Sequence, residues 1–311
     1  MNLEVNLAGL KLKNPVMSAS GTYGYGKEFL PFFNPDVLGA VVSKTATLKP
    51  RQGNPPPRVV EINGHGMLNS IGLQNIGLTK LLEEATEFLA DYNVPWIMNL
   101  SENCEEDFQT AASKATQCYR VDALEGNLSC PNVKGEGMLF GLDPRATKNI
   151  TQAIKEVSSL PLIIKLTPNA SNVVEIATAA IDGGADILNM GNTYVGMAID
   201  VHKRKFKIHG GGSHTGGYSG PAIKPMTLAK VNQIYNANLG IPIIGTGGIM
   251  TGEDAIEYFL AGANAVQVGT ASFKDPNSMP NIIKGIKDYM EKYNIKDIND
   301  LVGATEGALN F

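Results

Sequence analysis

Residues 241–273 read IPIIGTGGIMTGEDAIEYFLAGANAVQVGTASF. Ile241–Gly248 is a short apolar run that ends in glycines. Thr251 stands three residues before Asp254, the spacing of a capping box, and Gly262 is placed to close the helix that starts there. A second apolar run, Ala265–Phe273, passes through Gly269-Thr270 near its end. A strand, a helix and a strand in that order form a parallel unit, since the crossover returns the chain to the same edge.

Six further runs lie upstream: Pro15–Gly21, Gly39–Thr47, Pro95–Ser101, Ala123–Pro131, Pro161–Pro168 and Ala185–Thr193. They barely alternate, as expected of strands covered on both faces. Helical spacing fills most of the gaps, at Thr79–Tyr92, Glu105–Arg120, Asn172–Asp182, Met226–Asn238 and Ile282–Tyr293. Asp143-Pro144 is an N-cap followed by proline at the first helical position. Eight such units predict an α/β fold, a (β/α)8 TIM barrel, with residues 1–311 as one domain. An open doubly wound sheet is the rival architecture. The lead-in LEVNLAGLKLKN, residues 3–14, predicts an N-terminal hairpin. Two long loops, 48–78 and 194–224, fall at the C-terminal face, where barrel enzymes bind their substrates.

Composition narrows the function. Apolar residues make up 43% and charged residues 18%, a soluble globular balance, and the net charge of −4 offers no footprint for nucleic acid or an anionic membrane. No apolar run approaches the ~18 residues of a membrane span, and the first residues lack a signal-peptide layout. The three cysteines, Cys104, Cys118 and Cys130, are odd in number and form no CxxC pair, so a reducing, cytoplasmic setting is expected. His209 and His214 flank glycines with no third ligand nearby, so no metal is expected.

Candidate chemistry gathers at the strand ends. Gly247-Gly248 and Gly269-Thr270 close the last two strands, where barrels often hold a phosphate. Cys130 sits in NLSCPNV among polar turn residues, where a thiolate acts as base or nucleophile; Cys104, opening a helix, and Cys118, within it, are assigned to structure. Lys165, inside the apolar run LIIKL, is costly unless it meets an anion, and Lys44 ends its strand in the same way. Asn69, Asn99, Asn127, Asn132 and Asn192 recur at strand ends or adjacent loops. Their amides suit a planar ligand with alternating C=O and N–H groups, such as a pyrimidine.

The blocks NPVMSASG, SKTAT, GNPPPRV, GMLNSIGLQNIGL, NLSCPNV, FGLDP, IIKLTPN, GNT, SGPAIKP, IPIIGTGGI and VQVGTASF stand in order along the chain. Through them it resembles the class 1 dihydroorotate dehydrogenases over essentially its whole length. The pyrimidine-reducing domain of dihydropyrimidine dehydrogenase is the near neighbour to exclude. The resemblance implies an FMN enzyme that oxidises dihydroorotate to orotate, with Cys130 as the base. It implies that Lys44, Asn69, Gly72, Leu73, Asn127, Asn132, Asn192 and Thr193 hold the substrate. Ser20, Lys44, Thr45, Asn99, Asn127, Lys165, Gly191 and Gly220 would contact the flavin, and Gly247, Gly248, Gly269 and Thr270 would cradle its phosphate.

SIGLQN and SGPAIKP resemble class 1B, the NAD-linked form, in which a partner subunit carries FAD and a [2Fe–2S] cluster. The expected assembly is then a homodimer or a heterotetramer with that iron–sulfur flavoprotein. Class 1A, a homodimer that uses fumarate, is the alternative. A barrel lyase or isomerase with a phosphorylated substrate is a second, and a non-catalytic flavin-binding subunit a third. One departure stands out: Leu100-Ser101-Glu102-Asn103-Cys104 places a charge where the family usually has glycine.

Overall fold

The computed structural model describes residues 1–128, 140–209, 212 and 214–305. Eight parallel strands form its centre: β1 (Val16–Ser18), β2 (Val41–Val42), β3 (Trp96–Leu100), β4 (Ala123–Asn127), β5 (Leu162–Leu166), β6 (Ile187–Met190), β7 (Ile243–Thr246) and β8 (Ala265–Val268). Their order in the sheet is β1-β8-β7-β6-β5-β4-β3-β2. The two ends meet, since Met17 bridges Ala40 in parallel and the Gly39 N–H donates to the Val16 carbonyl at 2.8 Å. The sheet is therefore a barrel and not an open layer. Every residue of β3 to β8 is buried, which is why these strands read as continuous apolar runs and not as alternating ones.

The helices are α1 (Leu78–Leu89), α2 (Glu105–Thr116), α3 (Pro144–Lys155), α4 (Val173–Asp182), α5 (Lys224–Asn236), α6 (Gly252–Leu260), α7 (Ala271–Lys274) and α8 (Ser278–Lys292). Each long helix presents an apolar stripe to the barrel; in α1 it is Leu78, Leu81, Ala85, Phe88 and Leu89. Sequence-encoded caps set the starts. Asp143 accepts from the N–H groups of Arg145 and Ala146, and Thr251 with Asp254 forms a reciprocal capping box. The expected N-terminal hairpin is present, with Val5–Leu7 paired to Leu10–Leu12.

Two expectations are corrected. No α-helix joins β1 to β2; two short 3-10 turns, Lys27–Phe29 and Pro35–Val37, take its place, packed through Tyr23 stacked on Phe29 at 4.4 Å. Helix α2 also stops at Thr116, so Cys118 lies beyond it, with its sulfur 3.3 Å from the Thr86 hydroxyl. Beyond its end, the Arg120 guanidinium donates to the carbonyls of Leu89, Tyr92 and Val94 and ties the segment before β4 to the connection between α1 and β3.

The long loops after β2 and β6 build one structure together. Tyr194–Gly196, Gly216–Ser219, Met67–Asn69 and Val59–Glu61 form a four-stranded antiparallel sheet in that order. Asn69 faces Gly217 on one side and Val59 on the other, so one loop cannot move without the other.

Candidate active site

A cavity of ≈ 680 Å³ opens at the C-terminal ends of the strands, between the barrel and the antiparallel sheet. That is within the ~300–1,000 Å³ typical of small-molecule pockets. Ser20, Lys44, Thr45, Asn127 and Lys165 reach it from the barrel. Asn69, Gly72, Leu73, Asn192, Thr193 and Gly220 line it from the loops. The glycine loops supply Gly247, Gly248, Gly269 and Thr270. Side chains inside it are tied to one another. Ser20 and Thr45 share a hydroxyl bond of 2.9 Å, Asn192 donates to the Asn127 amide oxygen at 3.2 Å, and Thr270 donates to Ser219 at 2.8 Å.

Two expected members do not line the cavity. Asn99 is fully buried and donates to the Glu125 carboxylate at 2.5 Å. Gly191, at φ +135°, lets the end of β6 pass β7: a Cβ there would lie 1.7 Å from the Thr246 carbonyl oxygen. Its glycine character serves strand packing. Cys130 and Asn132 lie outside the described residues.

The structure adds residues that sequence reasoning passed over. Arg58 lines the cavity together with Lys44. Its guanidinium is held by the Asn54 carbonyl and the Gln74 side chain. Burial, followed by the Arg58 charge, pushes the Lys44 ammonium below the usual lysine range, opposed by Glu28. Two cations on one wall form a site for an anion, and their shared repulsion is relieved when one binds. Arg58 had been visible in GNPPPRV without a role.

Leu73 adopts φ +55°, which is uncommon for a leucine and costs backbone strain. Asn75, buried beneath it, holds the turn. Its amide donates to the Leu73 carbonyl and the Thr47 hydroxyl, and its oxygen accepts from the Gly77 and Thr47 N–H groups. Glu125, fully buried in the middle of β4, is a further omission. A charge inside an apolar strand is the signal that had singled out Lys165, and it was there to be read.

Glu102, the departure noted above, is buried and accepts the Leu48 N–H at 2.5 Å, anchoring the start of the long loop after β2. Burial raises its pKa from 4.5 to about 7, partly offset by that hydrogen bond. A carboxyl whose folded pKa is raised contributes stability fully present below 4.5 and lost as pH rises through about 7. Glu102→Gln keeps an oxygen for Leu48 and removes the titration. Melting curves should therefore match wild type below pH 4.5, and the variant should melt higher at pH 8. Parallel curves across that range would show that Glu102 does not titrate in this window.

The cradle at the last two strands fits a phosphate. Gly247 and Gly248 take φ +146° and +69°, conformations that glycine adopts freely, and a Cβ on Gly248 would meet Lys224 at 2.7 Å. The N–H groups of Gly248, Ile249, Thr270 and Ala271 meet no acceptor among the described residues, while all four residues line the cavity. Lys224 itself does not face this cradle, because its ammonium is held by Asp254 and Glu257 at 2.6 and 2.7 Å. With the amide-lined middle and the Lys165 ammonium, the donor set suits a phosphorylated, planar, electron-accepting ring such as FMN.

Among the described residues no helix is long and apolar enough to cross a membrane. The model of the family described as "Dihydroorotate dehydrogenase" matches residues 2–290. The dihydroorotate dehydrogenase B (NAD(+)) catalytic subunit of Geotalea uraniireducens (strain Rf4) is 48% identical over 303 residues, covering 97% of this chain and 98% of its own. The protein of the same name from Alkaliphilus metalliredigens (strain QYMF) is 49% identical over 304 residues, 98% of this chain and 99% of its own. Among solved structures, DHODH from Eimeria tenella in complex with ferulenol superposes with a TM-score of 0.80 at 26% identity, covering 97% of this chain and 88% of that one.

Proposed function

The chain belongs to the dihydroorotate dehydrogenase family, and we propose that it oxidises dihydroorotate to orotate in pyrimidine synthesis, as the FMN-binding catalytic subunit of a class 1B, NAD-linked enzyme in the cytoplasm. The observation that carries this is the composition of one cavity: a cationic wall, an amide-lined middle, a buried ammonium and a donor-rich glycine cradle. Lys44, with Arg58 beside it, binds the substrate carboxylate through charge-assisted hydrogen bonds. Asn69, Asn127 and Asn192, joined by Asn132, match the ring's C=O and N–H groups. The strained Gly72-Leu73 turn brings backbone to the same ring.

FMN, when bound, supplies the hydride acceptor. Lys165 places positive charge beside it, one of the levers a protein has on a flavin. The cradle at Gly247, Gly248, Gly269 and Thr270 holds its phosphate, and Ser20, Thr45 and Gly220 line the remaining wall. Cys130 takes the C5 proton on its sulfur as the C6 hydride leaves, and returns that proton to solvent afterward. The relatives' name, catalytic subunit, supports a partner that passes the electron pair on to NAD.

Purification under native conditions tests this. The protein should be yellow, and dihydroorotate added without oxygen should bleach it. A colourless protein with an empty cavity, or bound FMN that dihydroorotate leaves oxidised, would overturn the assignment. Co-purification of a stoichiometric iron–sulfur flavoprotein is the expected mark of class 1B. Fumarate-dependent turnover by the chain alone would replace it with class 1A.

A further inference from the structure

Glu125 is fully buried, and three amides from three other strands grip its carboxylate. Asn99 of β3 donates to Oε1 at 2.5 Å, while Asn189 of β6 and Gln267 of β8 donate to Oε2 at 2.7 and 2.6 Å. Two of the amides cannot turn freely. Thr246 of β7 donates to the Asn189 oxygen at 2.7 Å, which leaves the Asn189 NH2 aimed at the carboxylate. The Gln267 oxygen in turn accepts from the Lys165 ammonium at 3.3 Å, so Gln267 bridges the two charges. Lys165 Nζ lies 3.9 Å from Glu125 Oε1.

Six strands, β3 to β8, thus contribute one polar layer, and it is asymmetric about the cavity. Lys165 and Thr246 line the cavity; Glu125, Asn99, Asn189 and Gln267 stand behind them. An ionised carboxylate only accepts hydrogen bonds, and all three amides donate to it. Burial pushes the Lys165 ammonium below the usual lysine range, and the Glu125 charge opposes that shift. Among the described residues it has one hydrogen-bond acceptor, Gln267, for its three protons.

We infer that Glu125 is the positioning residue of this site, a fixed anion that keeps the Lys165 ammonium protonated and leaves its remaining N–H donors for a ligand in the cavity. The meaning of this for FMN rests on the function proposed above; the proton on Lys165 does not, and it can be read without cofactor. Lysine labelled with 13C at Cε reports the charge on its own nitrogen by NMR, and loss of one resonance in Lys165→Arg assigns it.

In the cofactor-free wild type, Lys165 should be charged at pH 7. In Glu125→Gln, which keeps the shape and removes the charge, its proton affinity should fall at least a hundredfold. Glu125→Asp, which withdraws the same charge by one methylene, should lie between the two and serves if the glutamine variant does not fold. A neutral Lys165 in wild type at pH 7, or an unchanged titration in the variants, overturns the inference. In FMN-loaded protein the Glu125→Gln redox potential should fall, since the cavity loses the Lys165 charge; a rise means that Lys165 stays charged without Glu125 and also overturns it. A wild type that binds no FMN would defeat the proposed function and leave the titration to decide this point.

Discussion

Lys165→Met is expected to cost about 3–5 kcal/mol of folding stability, because it leaves the Glu125 carboxylate buried without its counter-ion. Methionine is close to lysine in length and shape, so little of the loss comes from packing. The amides of Asn99, Asn189 and Gln267 remain on the carboxylate, whose counter-ion is gone. Urea denaturation of the cofactor-free protein at pH 8 measures this directly. The double variant Glu125→Gln with Lys165→Met should recover much of the stability, since a neutral pair carries no uncompensated charge. A loss below about 1 kcal/mol in the single variant would mean that Glu125 takes up a proton at little cost and that the polar layer is not held by charge.

Cys130→Ser should retain FMN and lose roughly 10²–10⁴-fold in turnover near neutral pH, the range a positioned general base contributes. A free thiol ionises near pH 8.5, so wild-type turnover should climb toward that value as the thiolate fraction grows. A serine hydroxyl ionises far higher, so the variant's activity should keep rising with pH where wild type levels off. Steady-state rates between pH 6 and 10, with the visible spectrum as a check on bound FMN, separate these profiles. Equal turnover at neutral pH would assign the proton to another group.

Much of the site was legible because charge and glycine are conspicuous in apolar strands. Lys165 inside LIIKL and the glycines after β7 and β8 were singled out on solvation and backbone grounds, and they line one cavity. Glu125 was missed in ALEGN although the same reasoning applied to it. Its partners come from β3, β5, β6 and β8, far apart in the chain, so nothing local announced a network. Asn99 and Gly191 carry residue types that suit a binding site, yet neither lines the cavity: the Asn99 NH2 donates to Glu125, and Gly191 lets two strands pass.

Periodicity and capping act over a few residues, and they were enough for eight buried strands, most of the helices and the barrel they close into. Residue type at strand ends singled out most of the polar groups and glycines that line the cavity. Which polar groups face the cavity and which face one another depended on register across the barrel, and that is set by packing between distant segments. The pairing of the two long loops into one sheet, the place of Arg58 beside Lys44 and the burial of Glu102 belong to that second kind. Each is a contact across many residues of chain, whose free energy exists only once the barrel has closed.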